Sequence, residues 1–171
     1  LSFVAASDKA WRLVETAKLP RYYVDLRQCD RSLKDGDTPF TPALTLVLAL
    51  RESLAHLSRL GMETIWKRTA ALARMTRETV RSRGLELFAE SPANTLTAIR
   101  VPSGVDGEKV VSIMRDEKGV TIAGGQGEMK GRVFRIAHLG SISESDLRTG
   151  ISVLEETLAE VRKKTPSRVR V

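Results

Sequence analysis

The sequence predicts a protein of the α/β class whose second half is a small α+β domain, with helices packed on a short, mostly antiparallel sheet. Apolar residues make up 42% of the 171-residue chain, which is enough for a buried core. Two long stretches in the second half carry apolar residues at three- and four-residue spacing, typical of helices with one buried face. Short β-rich segments, separated by glycine or proline turns, lie between those stretches.

The first half of the chain predicts the end of a separate domain. Apolar runs at Leu1–Ala6 and Tyr22–Leu26 predict two strands, the first of them buried. Between them, Ser7 precedes a helical stretch and predicts its N-cap. Gly36, set between two aspartates, predicts a turn.

A long helix follows this turn in the prediction. Thr41 predicts its N-cap and Pro42 its first residue, because threonine accepts bonds from free amides and proline is favoured at the first helical position. Apolar residues surround most of this helix as far as Leu60, which predicts that it is heavily buried. Since a helix N-terminus also attracts anions, Thr41 has two interpretations: a plain cap or part of an anion site.

The second half predicts the order helix, strand, helix, strand, strand, helix. Its first helix spans about residues 63–83, with Gly84 directly after the C-cap. The other elements are predicted at residues 95–101, 107–118, 120–123, 132–138 and 143–164. Ser143 predicts the N-cap of the last helix.

Charge leaves two interpretations open. The formal net charge is +7, which fits a solvated basic tail or attraction to anionic ligands. The basic residues of the tail are Arg162, Lys163, Lys164, Arg168 and Arg170. A second group of basic residues lies on the helix predicted at 63–83: Lys67, Arg68, Arg74, Arg77 and Arg81. These residues predict either a solvated helix face or a stripe that follows nucleic-acid phosphates. An aromatic content of 5% counts against binding to single strands.

Composition also argues against several kinds of site. Cys29 is the single cysteine, which excludes an internal disulfide and favours a cytoplasmic location. His56 and His138 are far apart in sequence, and no spacing predicts a metal site. No apolar run approaches the roughly 20 residues of a membrane span. No Ser/His/Asp or Cys/His arrangement stands out, so no catalytic residue is assigned within the chain.

Arg135 is the most informative single residue. It lies in an alternating segment, on the strand face opposite Phe134 and Ile136. A charge there must be paired or must reach a cavity. Its planar fork fits a buried acid of its own chain and a substrate carboxylate equally well. The nearby run Gly124–Gly127 lacks the P-loop and dinucleotide patterns, which favours a flexible hairpin connection.

Three segments carry a further signal through their order and spacing: residues 1–11, residues 38–43 running into 49–54, and residues 124–140. The most specific run is Arg-Ile-Ala-His-Leu-Gly, which starts at Arg135. Together these segments resemble class V aminotransferases of the alanine/serine–glyoxylate branch, which depend on pyridoxal phosphate (PLP). The resemblance implies the C-terminal portion of a fold-type I enzyme. It implies that residues 1–60 end the large PLP-binding domain and that residues 61–171 form the small α+β domain.

The same resemblance implies a function. It implies a homodimer with pyridoxal 5'-phosphate at the interface, and transamination between alanine or serine and a 2-oxo acid such as glyoxylate or pyruvate. Arg135 matches the arginine that grips the substrate carboxylate. Thr41 matches a threonine that reaches the PLP phosphate, and Thr38 stands where some relatives place a tyrosine that contacts it. The lysine that forms the Schiff base is expected before Leu1, so the chain alone is expected to be inactive.

Two alternatives remain beside this reading. One is a non-enzymatic basic module that binds nucleic acid, although a nucleic-acid partner is disfavoured. The other is a class V relative with desulfurase or lyase activity, for which Cys29 is a poor persulfide carrier in a predicted turn. Without the rest of the large domain, residues 1–60 are expected to expose apolar strand and helix surface that this domain normally covers. The chain alone is therefore expected to self-associate.

Overall fold

The structure, a computed structural model, describes residues 1–164, so Arg168 and Arg170 of the basic tail lie outside the described residues. Contacts divide the chain into two compact units, which meet in sequence between Leu60 and Gly61. None of the described helices combines the length and the hydropathy that a membrane span requires.

The first unit contains three helices in its sixty residues. They are α1 (Asp8–Thr16), α2 (Leu26–Lys34) and α3 (Leu44–Leu60). Ser7 caps α1 as predicted, since its hydroxyl accepts a bond of 3.3 Å from the Ala10 N–H. The predicted turn after α2 also forms, with Gly36 at a φ of 70°. Packing between elements in this unit joins α1 to α2.

Both strand predictions for the first unit are wrong. Leu1–Ala6 is irregular, and Tyr22–Leu26 forms a turn that leads into α2 with Asp25 as its N-cap. An isolated strand leaves its backbone amides and carbonyls without partners, so it forms only beside another strand. Within residues 1–60 the structure describes no strand that either run pairs with.

Two predictions about the long helix are also wrong. α3 begins at Leu44, so Thr41 is not its N-cap. The Pro42 carbonyl accepts from the Leu44 N–H, two residues on, at 2.9 Å, which is a tight turn and not helical geometry. The apolar side chains of α3 are exposed, with Leu48 at 51% and Leu54 at 52%, because inter-element packing in this unit lies elsewhere.

Cys29 lies inside α2 and not in the turn that the sequence suggested. The residues around it, from Leu26 to Lys34, carry little apolar character, but Asp25 starts the helix by accepting a bond of 3.1 Å from the Arg27 N–H. A good N-cap therefore produces a helix here that apolar periodicity alone did not reveal.

The second unit has the predicted order of elements. They are α4 (Met62–Ser82), β1 (Leu96–Arg100), α5 (Gly107–Asp116), β2 (Ala123–Gly124), β3 (Val133–Ala137) and α6 (Glu144–Lys164). The three strands form one antiparallel sheet in the order β1-β3-β2, which confirms the predicted fold class. β2 is shorter than predicted and begins at Ala123, because only two residues pair with β3.

The core of the second unit lies between one face of the sheet and the three helices. Ile99 and Phe134 are paired across β1 and β3, and both are fully buried. The predicted apolar stripe of α6 is buried as well: Leu147, Ile151, Leu154, Leu158 and Val161. Ser143 caps this helix as predicted, since its hydroxyl accepts from the Asp146 N–H at 3.1 Å. Gly84, at a φ of 71°, follows α4 and adopts the left-handed conformation typical of a residue after a C-cap.

Candidate carboxylate-binding site

Arg135 lies at the centre of β3, the middle strand of the sheet. Its paired neighbours are Ala98 on β1 and Ala123 on β2. Paired residues share one face of a sheet, so Arg135 has small side chains on both sides. Phe134 and Ile136 are buried, whereas Arg135 is half-buried, which agrees with the alternation in the sequence.

A backbone carbonyl anchors the Arg135 guanidinium. Its Nε donates to the Gly124 carbonyl oxygen at 2.8 Å. In the part of the chain that the structure describes, Arg135 forms no ion pair with an acidic side chain. The terminal N–H groups of the fork are therefore the donors available to a ligand, and two parallel N–H groups suit a carboxylate.

The glycine run holds the anchoring carbonyl in place. It forms part of the connection between the antiparallel strands β2 and β3, as the sequence indicated, with a 3₁₀ turn at Gly127–Met129. A Cβ atom on Gly125 would lie 1.8 Å from the Met129 carbonyl oxygen, so only glycine fits there. Neighbouring Gly124 thus keeps the position from which it accepts the Arg135 bond.

A cavity of about 700 Å³ opens beside this arginine within the second unit. Arg135, Ile136 and Ala137 of β3 contribute to its lining, as do Ile142, which precedes α6, and Asp146 in the first turn of α6. This volume lies within the range of roughly 300–1,000 Å³ that is usual for small-molecule sites. Apolar walls with one fixed cation suit a small organic acid.

Asp146 supplies an opposite charge to the same cavity, but it is already engaged. Its carboxylate accepts from the Ser143 N–H at 2.8 Å and from the Ser143 hydroxyl at 2.6 Å. These two bonds hold the pKa of Asp146 below its ordinary value of 3.8. Together with the reverse bond from the Asp146 N–H, they make a reciprocal cap at the start of α6.

Three of the five basic residues on α4 have partners inside the second unit. Arg68 and Arg77 donate to backbone carbonyls of two loops, and Lys67 forms an ion pair along the helix. Arg74 and Arg81 are exposed. A stripe along nucleic-acid phosphates requires several available cations on one face, so this arrangement disfavours that interpretation.

His138 is a buried residue whose role the sequence did not reveal. Its side chain is 1% exposed, with Nε2 3.2 Å from the Thr97 hydroxyl and Nδ1 3.1 Å from the Asn94 carbonyl oxygen. Burial lowers the pKa of His138, the positive charge of Arg77 lowers it further, and the bond to Asn94 raises it. The one sequence signal for the burial of His138 was its position at the end of the alternating apolar segment. Among the described residues, no group of three potential ligands surrounds a metal position.

Thr38 and Thr41 belong to the first unit, in the segment before α3. The Thr38 hydroxyl donates to the Phe40 carbonyl oxygen at 2.7 Å, and its N–H donates to Asp37. Thr41 is exposed, and within residues 1–164 no hydrogen bond of its hydroxyl is described. The Thr41 hydroxyl is therefore available as a donor, whereas the Thr38 hydroxyl is engaged.

Comparison with known proteins agrees with the arrangement of the helices and the sheet. Residues 23–142 match the family model for class-V aminotransferases. The chain therefore belongs to the class-V aminotransferase family, whose members are PLP-dependent. Its fold is that of the C-terminal portion of the fold-type I enzymes, as the sequence predicted.

Individual relatives carry several names. The chain is 38% identical over 165 residues to "Soluble hydrogenase, small subunit" of Synechococcus sp., which covers 94% of this chain and 42% of the relative. It is 33% identical to the serine–glyoxylate aminotransferase of Methylorubrum extorquens, with the same two shares. The crystal structure of alanine–glyoxylate aminotransferase from Nostoc sp. superimposes with a TM-score of 0.82 at 26% identity, covering 89% of this chain and 42% of that one. The chain thus spans about 42% of the length of each.

Proposed function

We propose that this chain is the C-terminal portion of a PLP-dependent aminotransferase that exchanges an amino group between alanine or serine and a 2-oxo acid such as glyoxylate or pyruvate. The observation that carries the proposal is Arg135, a guanidinium anchored at 2.8 Å to Gly124 beside a cavity of about 700 Å³. Family membership supplies the reaction class. The alternative, a basic module that binds nucleic acid, loses support because Arg68 and Arg77 donate to loop carbonyls.

Arg135 binds and orients the substrate in this proposal. Its terminal N–H groups hold the carboxylate, and the Nε bond to Gly124 prevents the fork from rotating. The fixed carboxylate sets the direction in which the substrate's Cα–H bond points. When bound, PLP supplies the electron sink for that carbon. The apolar part of the cavity wall, which includes Ile142, excludes water from the bound acid.

The residues before α3 fit the phosphate of the cofactor. The exposed Thr41 hydroxyl is of the chemistry that a phosphate oxygen accepts, and the first amides of α3 add the positive end of a helix. Thr38 contributes through the shape of the segment, since its hydroxyl already donates to Phe40. The resemblance assigns proton transfer to a lysine that precedes Leu1 in the family.

The assembly is part of the same proposal. We infer a homodimer with active sites at the interface, acting in the cytoplasm on small amino acids and 2-oxo acids. The exposed apolar side chains of α3 support a covered surface in the assembled protein, because such a helix is stable in water only where its apolar faces are packed.

Replacing Arg135 by alanine in the complete PLP-loaded protein tests the function. We expect KM for the amino donor and the 2-oxo acid to rise about 30-fold or more, since losing the partner of a carboxylate costs roughly 2 kcal/mol or more. PLP absorbance should stay unchanged, because Arg135 binds the substrate and not the cofactor. Arg135→Lys keeps the charge but lacks the planar fork, so its KM should lie between those of the parent protein and Arg135→Ala. An unchanged KM in Arg135→Ala would refute the assignment.

A further inference from the structure

The loop between β3 and α6 is held from across the second unit by one arginine. Arg68 of α4 donates through Nη1 to the Gly140 carbonyl oxygen at 3.1 Å, and through Nη2 to the Ile142 carbonyl oxygen. Both bonds are charge-assisted, and the planar fork engages two carbonyls of the same loop. Arg68 therefore fixes the path of the chain between these two residues.

This loop forms part of the wall of the Arg135 cavity. Ile142 lines the cavity, and so does Asp146, one turn into the helix that the loop starts. Arg68 itself is not among the residues that line it. Its effect on a bound acid must therefore pass through the backbone that it holds.

We propose that Arg68 is a positioning residue for the carboxylate site, setting the distance between the Ile142 wall and Arg135. The inference rests on the proposed function of Arg135 and adds a residue that the sequence left among the solvated basic residues of the helix. Without the Arg68 bonds, the wall moves relative to Arg135. The bound acid is then held less tightly, although every group that touches it is still present.

Arg77 on the same helix provides a matched comparison. It too donates to backbone, at 2.6 Å to the Ala93 carbonyl oxygen, and to the Asn94 side chain at 3.4 Å. The loop that it holds does not contribute to the Arg135 cavity. Arg77→Ala therefore removes a similar clamp from residues 93–94, which, in the described part of the chain, reach the β3–α6 loop only through the bond between Asn94 and His138. Arg74→Ala is the second control, because it removes an exposed arginine that holds neither loop.

Limited chymotrypsin digestion of the 171-residue chain tests the clamp without any activity. Leu139 is 57% exposed and directly precedes the held segment. We expect Arg68→Ala to increase the cleavage rate at Leu139 about tenfold, because a released loop opens more often. Cleavage should match the parent chain in Arg77→Ala and Arg74→Ala. An unchanged rate in Arg68→Ala would show that the arginine holds nothing and would overturn the proposal.

Steady-state kinetics of the complete PLP-loaded protein test the consequence for the site. Arg68→Ala should raise KM for the 2-oxo acid about tenfold and leave kcat within about twofold, since the chemistry is untouched. Arg68→Lys should recover part of the change, and it serves as the test if the alanine variant fails to fold. Arg77→Ala should leave KM unchanged, and an equal rise there would reduce Arg68 to a purely structural residue and overturn the proposal.

Arg135→Ala, measured in parallel, distinguishes a failure of the proposed function from a failure of the positioning role. If Arg135→Ala raises KM and Arg68→Ala does not, the function survives and the positioning role fails. If neither variant changes KM, both fail.

Discussion

The two units use similar apolar residues in opposite ways. In the second unit, Leu154 of α6 is fully buried in the core, whereas Leu48 of α3 in the first unit is 51% exposed. Both helices are seventeen or more residues long and carry several leucines. The difference teaches that apolar spacing predicts where a helix lies, whereas the burial of its side chains depends on whether another element supplies a matching surface.

The largest expected effect comes from removing the same side chain in each unit. Leu154→Ala should lower the free energy of unfolding by about 2–5 kcal/mol, because it opens a cavity in a closed core. Leu48→Ala should change it by at most about 0.5 kcal/mol, since that side chain is half in water. Urea unfolding followed by circular dichroism measures both variants.

Light scattering extends that comparison to association. If the exposed face of α3 drives the expected self-association, Leu48→Ala should lower the average mass, while the parent chain remains larger than a monomer. A monomeric parent chain would contradict this reading of the first unit. Equal stability losses in Leu48→Ala and Leu154→Ala would remove the distinction between the units.

A smaller effect is expected at the two serine caps. Ser143 caps α6 and Ser7 caps α1, with bonds of 3.1 Å and 3.3 Å to helical N–H groups. Ser143→Ala should cost about 1 kcal/mol of unfolding free energy, because α6 is part of the core. Ser7→Ala should leave the main unfolding transition in place, since α1 buries no residue. A comparable loss in both variants would mean that α1 unfolds together with the second unit.

The smallest expected effect is a pH dependence from His138. Its folded-state pKa is lower than the ordinary value of 6.5, mainly because of burial. As the pH falls below 6.5, the unfolded chain takes up a proton on this histidine more readily than the folded chain. The contribution of His138 to stability is therefore fully present above pH 6.5 and is lost as the pH falls through the folded-state pKa. Midpoints of urea unfolding between pH 7.5 and 5 should decline less in His138→Gln than in the parent chain.

The exposed His56 provides the control for this measurement. His56→Gln should keep the parent slope, because its imidazole on α3 is exposed in the first unit. Parallel slopes in the parent chain and His138→Gln would mean that the Thr97 hydroxyl accommodates the protonated ring without cost.

Much of the second unit was accessible from the sequence. Apolar spacing located α4 and α6, serine at position 143 located a cap, and alternation placed Arg135 opposite Phe134. Each of these signals is carried by residues within a few positions of one another. The strand predicted at Leu1–Ala6 failed for the complementary reason, because a strand depends on a neighbour that local pattern does not report.

The site was accessible in part. Arg135 stood out because a charge inside an apolar strand requires a partner, but the sequence left open what that partner is. The anchor on Gly124 and the size of the cavity emerge only when β2 and β3 are paired. Thr41 kept its hydroxyl available but lost its role as a cap, because Pro42 turns the chain before α3 begins.

The sequence by itself determined the order of elements in the second unit, the position of Arg135 and the resemblance to the class-V aminotransferases. Tertiary structure alone decided which arginines are structural. Arg68 reaches Gly140 across a separation of 72 residues, and His138 reaches Asn94 across 44. Periodicity and capping act over one or two turns, so a sequence reports them directly. A hydrogen bond between distant residues exists only after the helices have packed on the sheet, so no local sequence pattern predicts it.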